Sequence, residues 1–434
     1  MDIHNAAKKA KKASLELATV PVDVKNRALA AIADAIQAEA GKIISANQDD
    51  CMRAEQEQLA MPLLKRLYFE NMKIKEACLG IKSLISLPDP VGATLSAKEL
   101  DNDLELFKVS CPIGVIGVVF ESRPDALVQI STLCLKSGNA ALLKGGSEAS
   151  ATNRTLADII HGAAVKSGIP SGWMVLLETR DDVADMLSLD DHIDLVIPRG
   201  SNDFVRYIMD NTRIPVLGHA DGICHVYVDK EADMNMAERI CVDSKTQYVA
   251  VCNAAETILV HRDIAERFLP KLKTALASKD VEIRGCKKTA KIIDAQVATE
   301  EDWKTEYLDL IVSIKVVDGL DSAIDHINQY GSGHTDAIVT SDSDRARRFL
   351  DYVDSADIFV NCSTRFSDGF RYGLGAEVGI STNKIHARGP VGLEGLTIYK
   401  WRLIGKGHIV ADYSGEGSRK FIHRKLDKRF GDIV

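Results

Sequence analysis

The sequence of 434 residues lacks the patterns that mark several classes of protein. Its longest apolar stretch, Ile113 to Phe120, is interrupted by two glycines and is much shorter than the ~20 residues that a membrane-spanning helix needs. The nine cysteines include no CxxC pair and the eleven histidines include no HExxH motif, so we expect neither a disulfide framework nor a bound metal. Thirty glycines and eleven prolines are too few for a collagen-like or low-complexity chain.

The charge of the chain is mildly acidic. The 54 Lys and Arg residues against 62 Asp and Glu residues give a formal net charge of −8, whereas a nucleic-acid-binding protein usually carries a basic surface. A dense basic run, Lys8 to Lys12, lies in an Ala-rich amphipathic segment and is typical of a solvated helix face. The N-terminal residues include Asp2 and His4 and no apolar signal-peptide segment. We therefore expect a cytoplasmic protein with neither a nucleic-acid nor a membrane partner.

The hydrophobic pattern predicts two successive α/β regions after a helical start. The first ninety residues show the helical period, for example at Leu29, Ile32 and Ile36. From Pro112 onward, apolar strands alternate with amphipathic helices, which indicates a parallel sheet covered on both faces and favours a dinucleotide-binding domain. A second alternating region begins near Glu256. The predicted strands are 113–120, 140–143, 174–177, 193–197, 215–217, 225–228, 257–260, 310–317, 336–340 and 358–361.

Two further segments, 101–110 and 403–413, are predicted to be strands that have no clear place in either sheet. Together they could form a small β extension that serves oligomerisation. Residues 363–395 are rich in glycine and polar side chains and predict long ordered loops, which commonly carry function.

Cys252 is the strongest candidate for a reactive side chain. It lies at the junction of the two α/β regions, where a substrate cleft is expected, and a thiolate attacks a carbonyl carbon well and also leaves readily. The alternative is that Cys252 is a small buried apolar residue, as Cys78, Cys134 and Cys241 are expected to be from their apolar surroundings.

The turn after the strand 140–143 is a candidate cofactor site. It reads Lys144, Gly145, Gly146, Ser147 and Glu148 and opens a predicted helix, whose N-terminus favours anions. Because a basic residue at the end of the second strand accommodates a 2′-phosphate, Lys144 favours NADP(H), although Glu148 could bind ribose hydroxyls. The GxGxxG fingerprint is absent, and the same residues also suit a plain strand-to-helix turn.

A second candidate anion site follows the strand 193–197. Pro198, Arg199, Gly200 and Ser201 again precede a predicted helix and could hold a pyrophosphate or a substrate phosphate. A capped turn without a ligand is the alternative.

Long segments of the chain resemble the γ-glutamyl phosphate reductases of the aldehyde dehydrogenase superfamily. They include CPIGVIGVVFESRP at 111–124 and HINQYGSGHTD at 326–336. The other matching segments are 142–146, 194–200, 214–225, 317–338, 363–369, 375–382 and 386–392. The resemblance extends over nearly the whole chain, and no glutamate kinase segment precedes it, so a stand-alone reductase is expected.

This resemblance implies an aldehyde dehydrogenase-like α/β fold with a doubly wound, Rossmann-type NADP(H)-binding domain at 1–245, interrupted by 95–112. The resemblance also implies two further parts of the chain, which are a catalytic domain at 246–395 and an oligomerisation extension made of 95–112 with 396–434. The implied reaction is the reduction of L-glutamate 5-phosphate by NADPH to glutamate 5-semialdehyde and phosphate in proline biosynthesis, through a thioacyl intermediate on Cys252.

One departure from the oxidising aldehyde dehydrogenases agrees with this direction. Those enzymes carry a glutamate base in an ELGG motif, whereas the matching residues here are Val216, Leu217, Gly218 and His219. Without a positioned base, water attack on the thioester should be roughly 10²-fold to 10⁴-fold slower. The asparagine that binds the oxyanion in those relatives is also absent, so backbone N–H groups or Asn253 are expected to replace it.

The resemblance also suggests substrate and cofactor residues. Arg123, His334, Arg365, Ser367 and Asp368 are candidates for binding the phosphate and the amino-acid end, since guanidinium groups match oxyanions. Surface salt bridging is the alternative for each arginine.

Glu306 is a candidate for the nicotinamide ribose. We also expect a homo-oligomer and functional coupling to a separate glutamate kinase. A hydrolytic or CoA-acylating aldehyde dehydrogenase and a silent scaffold are the alternative functions.

Overall fold

The computed structural model describes residues 2–121, 123–179, 181–219 and 221–433. These residues form two compact units, which we call unit 1 and unit 2. Unit 1 contains Met1–Gly200, Tyr207–Val216 and Gly392–Val434, and unit 2 contains Ser201–Arg206 and Leu217–Val391. Within the described ranges, no helix has both the length and the apolar character needed to cross a membrane.

Helices and strands alternate after a helical N-terminal region, as the hydrophobic pattern predicts. The helices are α1 Ile3–Leu17, α2 Val22–Ala38, α3 Ala40–Gln56, α4 Met61–Leu67, α5 Asn71–Ser86, α6 Pro124–Lys136, α7 Ser150–Lys166, α8 Asp181–Leu187, α9 Asn202–Asp210, α10 Met234–Thr246, α11 Arg262–Ala277, α12 Lys287–Ile292, α13 Leu320–Tyr330 and α14 Ser343–Tyr352. The strands are β1 Thr94–Asp101, β2 Leu104–Pro112, β3 Val115–Phe120, β4 Ala140–Lys144, β5 Met174–Leu177, β6 Leu195–Arg199, β7 Cys224–Val228, β8 Ala255–His261, β9 Glu282–Gly285, β10 Gln296–Val297, β11 Ile311–Val317, β12 Thr335–Val339, β13 Asp357–Val360, β14 Gly379–Ser381, β15 Gly389–Val391, β16 Thr397–Ile404 and β17 Arg424–Lys425.

Unit 1 is built on a parallel sheet with the strand order β5-β4-β3-β6. Every residue of β3 and β4 is buried, which fits a sheet covered on both faces. Of the predicted strand at 215–217, the described residues form a single bridge, between Val216 and Val196.

A second sheet in unit 1 is antiparallel, with the order β16-β2-β1-β17. It is the β extension predicted from the two unplaced segments. Its C-terminal strand, β16, lies earlier than the predicted 403–413, and Val410–Tyr413 form a 3₁₀ turn instead. No residue of β16 is fully buried, although the strand carries Ile398, Trp401 and Leu403.

Unit 2 is built on a parallel sheet with the order β10-β9-β11-β8-β7-β12-β13. Its core is aliphatic and aromatic and includes Val226, Ile258 and Phe268. β7 pairs with β8 and β12 in this sheet, and unit 2 accordingly includes the chain from Leu217. This division differs from the predicted boundary between residues 245 and 246.

Candidate active site

The candidate site in unit 2 lies at the amino ends of three neighbouring strands. Gly222 precedes β7, Cys252 precedes β8 and His334 precedes β12, and the sheet places β7 between the other two strands. Parallel strands begin at the same edge of a sheet, so residues that are far apart in the sequence meet there.

A hydrogen bond to the backbone of Cys252 holds the turn that carries this residue. The side chain of Cys252 is partly exposed, while the thiol of Cys224 is fully buried and donates a hydrogen bond to the Cys252 carbonyl oxygen at 3.1 Å. Burial raises the pKa of Cys224 well above its usual value, which keeps this thiol protonated and suited to donate. Cys224 therefore acts as a support, and Cys252 remains the thiol with access to a ligand.

Two histidines lie beside Cys252. A ligand atom from each of Cys252, His219 and His334 lies within 4.8 Å of the other two, and the histidine rings meet edge to face with centroids 5.1 Å apart. Nδ1 of His219 lies 2.9 Å from the carbonyl oxygen of Ile380, which can only accept, so this nitrogen carries the proton. The position of His219 beside the thiol was not predicted, because the match of residues 216–219 to the ELGG motif places Val216 at the missing base and gives His219 no role.

His334 is completely buried. Its Nδ1 lies 2.7 Å from the hydroxyl of Thr335, and its Nε2 has no hydrogen-bond partner among the described residues. An unpaired polar atom inside a protein is costly, so this nitrogen is available to a ligand.

Asn253 links the Cys252 turn to the predicted loop region. Its side-chain Nδ2 donates to the backbone carbonyl oxygen of Ser367 at 2.7 Å. Its backbone carbonyl oxygen accepts from the Thr364 hydroxyl at 2.7 Å. The hydroxyl of Ser367 donates in turn to Asp357 at 2.9 Å. Asn253 and Ser367 thus hold the two segments together, and at least one amide proton of Asn253 is used for this contact.

Arg365 is a buried cation in the same region. Only 8% of its surface is exposed, its Nε donates to Gln247 at 2.9 Å, and its terminal nitrogens make no hydrogen bond with the described part of the chain. Burial and the like charge of Arg371 lower the pKa of Arg365, while Cys252 favours its charged form. A guanidinium group remains protonated under such conditions, so Arg365 offers two nitrogens to an anion near Cys252.

Asp368 is engaged by its own loop. Its carboxylate accepts from the backbone N–H groups of Phe370 and Arg371 and pairs with the Arg371 guanidinium at 3.3 Å. The structure therefore gives Asp368 a part in shaping the loop.

Glu306 lies near Gly222, whose backbone contacts the Cys252 turn. Its carboxylate accepts from the Asn202 side chain at 2.7 Å. Burial raises its pKa. Asn202 also donates to Asp221 at 2.9 Å, so a polar network that the sequence did not reveal positions Glu306.

The candidate cofactor turn lies in unit 1. Lys144 ends β4, is 6% exposed, and donates to the carbonyl oxygen of Gly145. A Cβ on Gly145 would lie 2.1 Å from the side chain of Asn153, which is buried and has little room to move. A Cβ on Gly146 would meet the carboxylate of Glu148 at 2.0 Å. A larger residue at either position would therefore displace a polar side chain of the turn.

The predicted anion site at the start of the following helix is occupied by a side chain. Ser147 to Ala149 form a 3₁₀ turn, so α7 starts at Ser150 and not at Glu148. The fully buried carboxylate of Asp50 accepts from the backbone N–H of Thr152 at 2.8 Å and from its hydroxyl at 2.7 Å. Asp50 from α3 thus satisfies backbone and hydroxyl donors at this helix N-terminus.

The second predicted turn lies where the chain passes from unit 1 to unit 2. Pro198 and Arg199 are the last residues of β6, Gly200 is the last of this part of unit 1, and Ser201 precedes α9 as predicted. Arg123 also belongs to unit 1, where it is exposed and forms a long ion pair of 3.5 Å with Asp125.

Comparisons with known proteins agree with these features. The sequence model of the aldehyde dehydrogenase family matches residues 1–300. The chain is 65% identical to γ-glutamyl phosphate reductase from Pelotomaculum thermopropionicum over 434 residues, which is 100% of both chains. It is 62% identical to the enzyme of that name from Acetivibrio thermocellus over 430 residues, which is 99% of this chain and 100% of the relative.

A solved structure agrees as well. The crystal structure of γ-glutamyl phosphate reductase from Thermotoga maritima is similar with a TM-score of 0.93 and 40% sequence identity, covering 94% of this chain and 100% of that one. The predicted fold class is thereby confirmed, and enzymes of the aldehyde dehydrogenase family use a nicotinamide cofactor. The chain therefore belongs to the γ-glutamyl phosphate reductases, which are oxidoreductases of the aldehyde dehydrogenase family.

Proposed function

We propose that the protein reduces L-glutamate 5-phosphate to L-glutamate 5-semialdehyde and phosphate with NADPH, as a step of proline biosynthesis. The observation that carries this proposal is the partly exposed Cys252 residue, with the buried guanidinium group of Arg365 close enough to interact with it electrostatically. A nucleophile beside a fixed cation suits a substrate whose acyl carbon bears an anionic leaving group. The names of the two relatives above support the same reaction.

In the proposed course, Nε2 of His219 takes the thiol proton of Cys252. The sulfur then forms a bond to the acyl carbon, and the carbon–oxygen bond to phosphate breaks, with phosphate leaving as it takes the proton from His219. The cofactor, once bound, would provide the hydride that reduces the thioester carbon held on Cys252. The resulting oxyanion re-forms the carbonyl group and expels the Cys252 thiolate, which regains a proton from solvent, so one proton is consumed in each turnover.

Arg365 is proposed to bind the phosphate group, with His334 in the same substrate site. Ser367 and Asn253 hold the turn and the loop together, as their mutual hydrogen bond supports. Backbone N–H groups at Cys252 and the remaining amide proton of Asn253 are then proposed to stabilise the developing oxyanion by hydrogen bonding. Asp368 and the exposed Arg123 stay as candidates for the amino-acid end of the substrate.

The residues at two places fit a phosphorylated nicotinamide dinucleotide. The ammonium group of Lys144 suits a 2′-phosphate, and it stands at the end of the second strand of the unit 1 sheet. The carboxylate of Glu306 suits the hydroxyls of a ribose. We assign the turns from Lys144 to Glu148 and from Pro198 to Ser201 to cofactor binding. Unit 1 would accordingly be the cofactor unit, and unit 2 would supply the nucleophile.

We infer that the β extension joins copies of the chain. β16 is an edge strand, and Ile398, Trp401 and Leu403 on it are 44%, 54% and 55% exposed. An exposed apolar edge strand pairs readily with another strand, and a second copy offers the same edge. The occupant that we propose is therefore β16 of another copy of this chain.

We also infer a cytoplasmic location and a source of the substrate. All nine cysteines are free thiols, which supports a reducing cytoplasm. An acyl phosphate is reactive toward water, so we infer functional coupling to a separate kinase that phosphorylates the glutamate side chain.

A steady-state assay tests the proposal. Purified protein is supplied with glutamate semialdehyde and NADP⁺, with and without inorganic phosphate, and NADPH formation is followed. We expect turnover that requires phosphate, its loss in Cys252→Ser, and its retention in Cys362→Ser, a matched change of another partly exposed thiol. Turnover in Cys252→Ser, or turnover that is independent of phosphate, would contradict the proposed course.

A further inference from the structure

We propose that Cys252, His219 and His334 also form a binding site for one zinc ion, which reversibly inhibits the enzyme. Thiolate sulfur and imidazole nitrogen are the ligands that zinc prefers, and three such ligands with an open fourth position make a complete site for this ion. Magnesium and calcium prefer oxygen ligands, so this trio discriminates against them.

The histidine nitrogens are available in the required form. Nδ1 of His219 is held by the Ile380 carbonyl oxygen and Nδ1 of His334 lies beside the Thr335 hydroxyl, so Nε2 is the nitrogen that each ring can offer. A second-sphere partner of this kind fixes the ring of a metal-binding histidine. Nε2 of His334 is also buried and has no hydrogen-bond partner within the described ranges, so this nitrogen is free to bind an ion.

The movement needed for coordination is small. Ligand atoms around a tetrahedral zinc ion lie roughly 3.3–3.6 Å apart, given Zn–N distances of about 2.0 Å and a Zn–S distance of about 2.3 Å. One ligand atom from each of these three side chains lies within 4.8 Å of the other two. Because His334 is buried in the sheet edge while Cys252 and His219 are partly exposed, the latter two side chains would close the gap by small rotations.

Zinc at this position would stop the proposed reaction. The thiol loses its proton to solvent when the Zn–S bond forms, and the sulfur's electron pair is then no longer available to attack an acyl carbon. No change of oxidation state is involved, so a chelator would restore the free thiol. The inhibition rests on the proposed function of Cys252, whereas the binding of the ion does not.

Two measurements on the full-length protein test the site. After treatment with EDTA and its removal, zinc sulfate is titrated against a chromophoric zinc chelator, and the rate of alkylation of Cys252 by iodoacetamide is followed by peptide mass spectrometry. We expect one tightly bound zinc per chain and at least 10-fold slower alkylation with zinc, restored by EDTA.

Variants give the decisive comparison. Cys252→Ser and His334→Gln should each weaken zinc binding by at least 10-fold, and Cys362→Ser should leave it unchanged. His219→Gln, at a partly exposed position, provides the same test if the change at the buried His334 prevents folding. Equal zinc affinity in the wild type and these ligand variants, or no bound zinc in the wild type, would overturn the proposal.

The two proposals fail in different ways. If Cys252→Ser loses zinc but still oxidises the semialdehyde, the metal site stands and the thioester course falls. If Cys252→Ser loses turnover while zinc neither binds nor protects the thiol, the thioester course stands and the metal site falls.

Discussion

Gly222 touches the backbone of Cys252 so closely that a Cβ at position 222 would lie 2.1 Å from the Cys252 carbonyl oxygen and 2.3 Å from its Cα. Backbone atoms cannot yield as a flexible side chain can, so Gly222→Ala must displace the turn that carries the nucleophile. We expect kcat/KM to fall by about 10²-fold or more, since a misplacement of about 1 Å has an effect of this size.

Gly80→Ala is the matched control for this change. Gly80 lies within α5, and a Cβ added there would have nothing within 4 Å, so alanine should leave kcat/KM unchanged and stabilise the protein by up to about 1 kcal/mol. Normal kinetics in Gly222→Ala would show that the Cys252 turn adapts to the added methyl group.

Arg365→Gln should weaken the binding of the acyl phosphate or of inorganic phosphate. Loss of a charge-assisted contact typically reduces affinity by roughly 10-fold to 10²-fold, which should appear as a higher KM for phosphate in semialdehyde oxidation. Arg365→Lys should recover part of the loss because it restores the charge. Arg348→Gln, which removes an exposed arginine of the same unit, should have no effect. An unchanged KM for phosphate in Arg365→Gln would show that Arg365 does not bind the phosphate group.

Lys144→Glu should weaken NADPH more than NADH. An acidic group at this place repels a 2′-phosphate and accepts from a free 2′-hydroxyl, so the ratio of kcat/KM for NADPH to that for NADH should fall by at least about 10-fold. The exposed Lys12→Glu serves as a control for the change of net charge. A ratio that stays constant in Lys144→Glu would refute the assignment.

Asp229 should contribute stability that depends on pH. Its buried carboxylate accepts from Tyr227, Thr340 and Arg345, and although burial alone would raise its pKa, the Arg345 pair and the two hydroxyl donors hold the pKa below the ordinary value of 3.8. A lowered pKa means that the folded state binds this proton more weakly than the unfolded state. The stabilisation is therefore complete above about pH 4 and is lost as the pH falls further.

Urea unfolding of Asp229→Asn measures this contribution. The variant should lose about 3 kcal/mol at pH 7, because Arg345 is left without its buried partner, and its deficit should shrink as the pH falls below about 4. Asp321→Asn breaks an exposed pair and should lose no more than about 1 kcal/mol. A deficit in Asp229→Asn that is the same at all pH values would contradict the lowered pKa.

Changing Trp401 to lysine should dissociate the proposed oligomer. A charge in the middle of the exposed β16 edge opposes pairing with a second copy, so light scattering should report a lower mass for Trp401→Lys than for the wild type. Leu79→Lys changes a similarly exposed apolar residue on α5 and should leave the mass unchanged. The proposal fails if both variants keep the mass of the wild type.

Elements with a local signal could be predicted from the sequence. The alternation of buried strands with amphipathic helices indicated the parallel sheets, because a strand covered on both faces is apolar along most of its length, as β3 and β8 are. Cys252 could be singled out because it stands at a change from one α/β region to the next.

Features that depend on distant residues could not be predicted. His219 and His334 reach Cys252 through the order of β7, β8 and β12 in the sheet, and this order leaves no trace in the local pattern. The spacing of cysteines and histidines along the chain therefore does not reveal the trio. Asp50 likewise occupies the start of α7 from about a hundred residues away, so a helix that looked ready for an anion is already satisfied.

The pairing of β16 with β2 has a consequence for biosynthesis. Ile404 lies opposite Glu105, and the chain passes through the whole of unit 2 between these strands. During synthesis, nearly three hundred further residues must be added after β2 before its neighbour β16 is made. Pairing between strands so far apart in the sequence is slow. One edge of β2 therefore stays without its native partner strand until β16 has been synthesised.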